Sequence, residues 1–360
     1  MLCGIRDQAI HGAYVDSIRT VKRTVLLISG LVFCIASYTT RAEENEGLSQ
    51  QIHAAFHYLV QGDTSRATKL LAEQEAIKDD SHQLSKLAIM LHIELENNDA
   101  AERSLLSFES RFADNPDTFA FAADAWRDIG HRAGIFSKFV FYKKGVQAKL
   151  RAGEIGPENA EYVALQAGAS AHGRRYGADA SLQKILTDKA IALDKKWGYI
   201  AKLNYAQNTD DQQSGLAAAK AAVREFHDDF VVLERVAQYY WTIDNLAQAQ
   251  LTFAQACECR PAQSWYREVK WINACYQVAV FSQEHGLAVK PGEQALHRLL
   301  AFYKLPTEQN VDIAGLLLDI AHPENSQLAV QRLNQIIIHA NDKALVKRAT
   351  RRLAMLNSRR

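Results

Sequence analysis

Small residues recur at fixed intervals in this chain, and they limit what it can fold into. Counted from Phe230 as position 1, Ala237, Ala249 and Ala256 fall at positions 8, 20 and 27, Tyr240 and Phe253 at 11 and 24, and Pro261 at 32. Two helices approach closely only where the facing residues lack bulk. Large side chains then fill the gaps beside them, and a proline ends the second helix. The same register fits Ala55, Tyr58, Ala67 and Leu71 near the start. It fits again ahead of Pro157, with Gly145 and Ala152 in place, but there Lys149 holds the position of the second aromatic. A single unit of this kind cannot bury its own apolar face, so the units have to stack.

Between these units the apolar residues recur at spacings of three and four, as in Leu84, Leu87, Ala88, Leu91 and Leu95, which is the helical period. No convincing strand pattern appears after about Leu48. The turns are short and polar: Gly62-Asp63, Asn97-Asn98-Asp99, Asp114-Asn115-Pro116, Asp210-Asp211. Only 6 prolines and 18 glycines occur in 360 residues, as suits long helical tracts. The pattern resembles the tetratricopeptide repeat of roughly 34 residues. It predicts an all-α fold, an α-solenoid of about sixteen helices in stacked hairpins, wound as a right-handed superhelix with a concave inner surface. The solenoid is expected over residues 43–356, with a sub-division near 160–180 and a short basic tail at 357–360.

Residues 1–42 read as a targeting segment. Arg19, Lys22 and Arg23 precede the apolar run Val25–Ser37, and Ala42 is followed by Glu43-Glu44. A basic region, a short apolar core and a small residue at the exit make up secretory-signal anatomy. The run is shorter than the ~20 residues of a comfortable membrane span. Export to the periplasm or the medium is expected, either with cleavage after Ala42 or with the segment kept as an N-terminal anchor.

The chain carries little sign of chemistry. No Walker-type loop, dinucleotide fingerprint or nucleophile elbow is present. His53 and His57 share a helical face but lack the third ligand and glutamate of a zinc protease, and read as half-buried helix residues. Paired carboxylates (Glu43-Glu44, Asp79-Asp80, Asp210-Asp211, Asp228-Asp229) sit at turns and read as helix caps. Cys257, Cys259 and Cys275 leave an odd number beyond Cys3 and Cys34. An oxidising compartment would allow Cys259–Cys275 to bridge neighbouring helices; the other reading is buried small hydrophobes. A net charge of +1 gives no global attraction to nucleic acid. The basic C-terminal stripe, Lys343 to Arg360, reads as the polar face of a capping helix.

Two clusters are candidate binding surfaces. Arg174, Arg175 and Tyr176 follow His172 in a junction loop and offer planar donors and an aromatic to a carboxylate, phosphate or glycan. Tyr239 and Trp241, with Trp265 at the start of the next hairpin, are candidate aromatic anchors of a concave groove.

The stretch 136–165, with Lys143-Lys144 and Pro157-Glu158-Asn159, resembles a widespread group of exported bacterial tetratricopeptide proteins, as do the loop Ala171–Gly177 and the segment Gly292–Leu296. That resemblance implies the fold and export. The expected function is a scaffold that binds a protein partner in the cell envelope through its concave face; the alternative is a periplasmic binder of a small-molecule solute. No enzyme activity, cofactor, metal or nucleic acid is expected, and no membrane association beyond the N-terminal segment.

Overall fold

A computed structural model describes residues 50–76, 81–261, 265–303, 306–321 and 326–359. The targeting segment, Glu43-Glu44, Asp79-Asp80 and the side chains of the basic tail lie outside the described residues. All regular structure within them is helical. Helix α1 (50–60) leads through a turn at Gly62 into α2 (Thr64–Ala76). The hairpins that follow are α3 (His82–Glu94) with α4 (Asn98–Arg111), α5 (Pro116–Arg132) with α6 (Ile135–Ile155), and α7 (Ala160–Ser170) with α8 (Gln183–Leu193). Then come α9 (Lys195–Thr209) with α10 (Gln212–Glu225), α11 (Phe230–Thr242) with α12 (Leu246–Glu258), and α13 (Trp265–His285) with α14 (Val289–Phe302). The last pair is α15 (Glu308–Ile320) with α16 (Gln327–His339), and α17 (Lys343–Arg359) ends the chain. Residues 54–360 make up one unit, to which every contact below belongs.

The polar turns set where the helices start. Ser81, Asn97, Asn115, Asn159 and Asp194 each accept a hydrogen bond from a backbone N–H of the first turn they precede. Asp211 accepts from Ser214 N, and Asp229 from Val231 N and Val232 N. A cap of this kind stabilises a helix by roughly 1 kcal/mol. The second carboxylate of each pair at these two turns, Asp211 and Asp229, is therefore a cap.

The repeat register places the core. In the α11–α12 hairpin, Ala237, Ala249 and Ala256 are fully buried, with Tyr240 and Phe253 filling the space beside them. At the equivalent place in α6, a Cβ on Gly145 would lie 3.0 Å from the carbonyl oxygen of Ala123 on α5. Each odd-numbered helix from α3 onward also touches the next odd one, up to α17. Among the described residues, α12 and α14 are the even-numbered helices that make a comparable contact. The odd helices thus form one continuous inner row. Because each hairpin reverses direction, all members of that row run the same way.

The row closes on itself. Gln61 Nε2, at the end of α1, donates to the carbonyl oxygen of Phe302 at 2.9 Å. The His57 ring meets the Phe302 ring edge-on at 5.9 Å and approaches Glu268 at 3.9 Å. Leu59 and Val60 share the walls of a ≈ 370 Å³ hollow with Val269, Ile272 and Leu299. Arg267 on α13 reaches Glu161 on α7 at 3.5 Å. The concave surface expected from the sequence is thus bounded by contacts between the two ends of the row.

At the far end, α17 buries Leu345 and Ala349. Its Arg348 pairs with Glu308 (2.9 Å) and Asp312 (2.8 Å), and Arg352 with Asp319 (3.4 Å). Two cations of the basic stripe are therefore tied to α15.

The disulfide differs from the pairing expected. Cys257, not Cys259, is bonded to Cys275. Cys257 faces the core on the last turn of α12, beside buried Cys275, whereas Cys259 lies past the helix end and is half-exposed. Iodoacetamide without reductant should label Cys259 and spare Cys257 and Cys275; peptide mass mapping before and after reduction reads this directly. The α9–α10–α11 corner is equally specific. A Cβ on Gly215 would lie 1.9 Å from the hydroxyl of fully buried Tyr239 and 2.9 Å from Ala206 Cβ. Gly215→Ala should cost about 2 kcal/mol of stability through overpacking, seen as a lower urea midpoint.

Candidate functional site

The inner row surrounds a cavity of ≈ 440 Å³ lined from α3, α5, α7, α9, α11 and α13, with Lys149 entering from α6. Since the odd helices run parallel, a residue's place along its helix gives its level in the cavity. Two levels emerge.

The first level comes from the starts of the helices. Tyr162 and Trp197 expose part of their rings there, beside buried Phe230. Its charges cancel in pairs: Lys86 with Asp117, and Arg267 with Glu161 at 3.5 Å. The Tyr162 ring has its place because residue 156 has no side chain. A Cβ on Gly156 would lie 2.6 Å from Tyr162 Cδ2. Burial, then the nearby Asp117 and Glu161 carboxylates, push the Tyr162 phenol up to about 12.

The second level lies about one turn further along, where Asp124 and Arg127 of α5 face Glu234 and Arg235 of α11, Lys270 of α13 and Lys149. Four cations stand here with Asp124, Glu234 and, behind Arg127, Asp128. Arg127 is paired with Asp124 at 3.2 Å. Arg235 donates to Gln207 at 2.7 Å, and its Nε is buried with no hydrogen-bond partner among the described residues. Lys149 has no hydrogen bond or ion pair among the described residues. Burial holds its ammonium below the ordinary lysine value; Asp124 opposes that shift, and Arg127, Lys270 and Arg235 add to it. Burial likewise pushes the Glu234 carboxyl up, against the pull of Lys270, Arg235 and Arg127. Lys149, Glu234 and Arg235 keep some accessible surface along the cavity wall. A cluster like this, partly buried and rich in cations, is suited to holding an anion.

The residues singled out from the sequence lie elsewhere. Tyr239 is fully buried, its hydroxyl donating to the Gln212 carbonyl at 3.4 Å, so it cannot anchor a partner. It lies one residue before the packing position Tyr240 and faces α10, where Gly215 makes room for it. Trp241 is 44% exposed, its ring edge-on to Phe281 at 5.4 Å. It falls two turns after Glu234 on the same helical face, beyond the cavity. The Trp265 side chain lies outside the described residues. Arg174, Arg175 and Tyr176 form a short 3₁₀ turn after α7. Tyr176 packs on Phe139, Tyr142 and His172, and Arg175 covers the Phe139 ring at 4.6 Å. That turn shields an aromatic patch of α6. Lys144, part of the lysine pair of the family resemblance, lies over Trp126 at 4.3 Å and pairs with Glu102 at 2.6 Å.

Sequence reasoning missed Arg127, Arg235 and Lys270. It registered Lys149 only as a departure from the repeat, and that departure was the available signal.

No family model matches the chain. No curated protein is significantly similar to it. Among solved structures, the human IFIT1 dimer with m7Gppp-AAAA is similar over 85% of this chain and 72% of that one, with 14% identity and a TM-score of 0.38.

One carboxylate beside the cluster makes it pH-sensitive. Asp128, next to Arg127, is pushed up to about 6, by burial first, with Arg127 opposing and Asp124 adding. In the unfolded chain an aspartate ionises near ~3.9. Between these values the native state holds more protons, so this group's contribution is fully present at low pH and is lost as pH rises toward 6. Asp128→Asn cannot ionise. Wild-type stability should decline relative to the variant between about pH 4 and pH 6 and run parallel above, in urea titrations across pH.

Proposed function

We propose that this chain is a binding protein rather than an enzyme, and that its inner cavity takes a small anionic molecule. The observation that carries the reading is Lys149, a cation with no ion-pair partner among the described residues, set where the repeat pattern calls for an aromatic and surrounded by Arg127, Arg235 and Lys270. A lone ammonium in such a place is costly to the fold, and an anionic ligand would offset that cost. The volume supports a small ligand: ≈ 440 Å³ falls among small-molecule sites, whereas a helix with its side chains is ~10–12 Å across and would fit for less than one turn. The lining supplies cations, carboxylates, amides and rings without Ser, Cys or His, which suits binding better than nucleophilic chemistry. We take the basic residues and apolar run ahead of Ala42 as an export signal, which places the cavity in the periplasm or outside the cell.

The protein-partner scaffold is the second reading, favoured by the exposed ring of Trp241 on the inner row. Calorimetry of the full-length chain with phosphate and short dicarboxylates at low salt separates the two. Lys149→Met and Arg235→Gln should each weaken binding about tenfold or more, while Trp241→Ala leaves it unchanged. Lys149→Met should also raise the thermal midpoint, since an unpaired buried charge is removed. Absence of dianion binding, or equal binding by Lys149→Met, would overturn the cavity reading and leave the scaffold.

A further inference from the structure

The two levels of the cavity differ in kind. On the first, every charge is matched: Lys86 by Asp117 and Arg267 by Glu161. What that level leaves open is ring surface, from Tyr162 and Trp197. Both rings are fixed in place. Tyr162 is seated against Gly156, and Trp197 packs with Leu186 on the small core of Val163, Ala164, Ala190 and Ala201. On the second level Lys149 has no ion pair and Arg235 Nε is buried with no hydrogen-bond partner, among the described residues.

The levels are close. Val231 and Arg235 lie four residues apart on α11, and Arg267 and Lys270 three apart on α13. That is about one turn, or ~5.4 Å, comparable to the reach from an aromatic ring to an anionic group attached to it. An inorganic anion would use the second level and leave the first empty. An apolar molecule would leave the Lys149 charge unanswered.

We propose that the ligand is a planar aromatic compound carrying an anionic group, its ring against Tyr162 and Trp197 and its charge between Lys149 and Arg235. This rests on the reading of the cavity as an anion site. A phosphomonoester and a pair of carboxylates share the required chemistry. A ring with no charge, or a charge with no ring, satisfies one level only.

The test compares methyl phosphate, phenyl phosphate and benzene-1,3-dicarboxylate by calorimetry on the full-length chain. Phenyl phosphate, the dicarboxylate or both should bind about tenfold more tightly than methyl phosphate, from ring stacking and burial. Which of the two is tighter identifies the anionic group. Tyr162→Leu, which keeps apolar bulk and removes the ring, should erase most of that preference while methyl phosphate binds as before; Trp197→Leu should do the same. The preference is a ratio of two affinities measured on one preparation, so a partly unfolded variant does not distort it. Methyl phosphate binding as tightly as the aromatic ligands would overturn the aromatic half and leave the anion site standing. An aromatic preference kept in both variants would also overturn it, by placing the ring elsewhere. Failure of all three ligands to bind would remove the anion site itself, and this inference with it.

Discussion

The contact that brings the end of α1 onto α13–α15 is what the rest of the molecule depends on. It consists of a hydrogen bond from Gln61 to Phe302, the His57–Phe302 rings, and the apolar meeting of Leu59 and Val60 with Val269, Ile272 and Leu299. Without it the odd helices would form an arc with free ends rather than a closed row. Lys149, Glu234 and Arg235 sit partly buried on the cavity wall and act on one another strongly, because screening falls with the dielectric. Loop-closure entropy grows only slowly with length, by ~0.6 kcal/mol per doubling. A few well-made contacts therefore suffice to hold ends 241 residues apart.

The part of the fold written in packing positions could be read in advance. The small residues of the Phe230 unit, the asparagines and aspartates at helix starts, and the period of three and four each specify local geometry directly. The pairing of Cys257 rather than Cys259 with Cys275 could not be read, because it depends on where α12 stops. Tyr239 and Trp241 were equally ambiguous. They are neighbours on one helix, and only the positions of α10 and α13 decide that one is buried and the other exposed.

The site was legible only where it broke a rule. Lys149 interrupts a recurring aromatic, so it stands out even in a single sequence. Arg235 does not. It alternates with Val232, Leu233 and Val236 as a solvent-facing arginine would, and nothing local distinguishes an outer face from an inner one. Closure makes that distinction, and closure depends on contacts between residues far apart in the chain. The same is true of Arg127 and Lys270. The fold is held by the faces of the helices that pack together, while the cavity is built from the faces left over.

The seam also sets a schedule. Residues that line the cavity are in place along the chain from Lys86 to Lys270, yet the hydrogen bond that shuts the ring needs Phe302. During synthesis, each hairpin can stack on the one before it as it emerges, the apolar face of one covered by the next. Until α14 follows, they make an arc whose ends have not met. A chain cut short before α14 would keep every residue that lines the cavity and lose the contact that joins its ends.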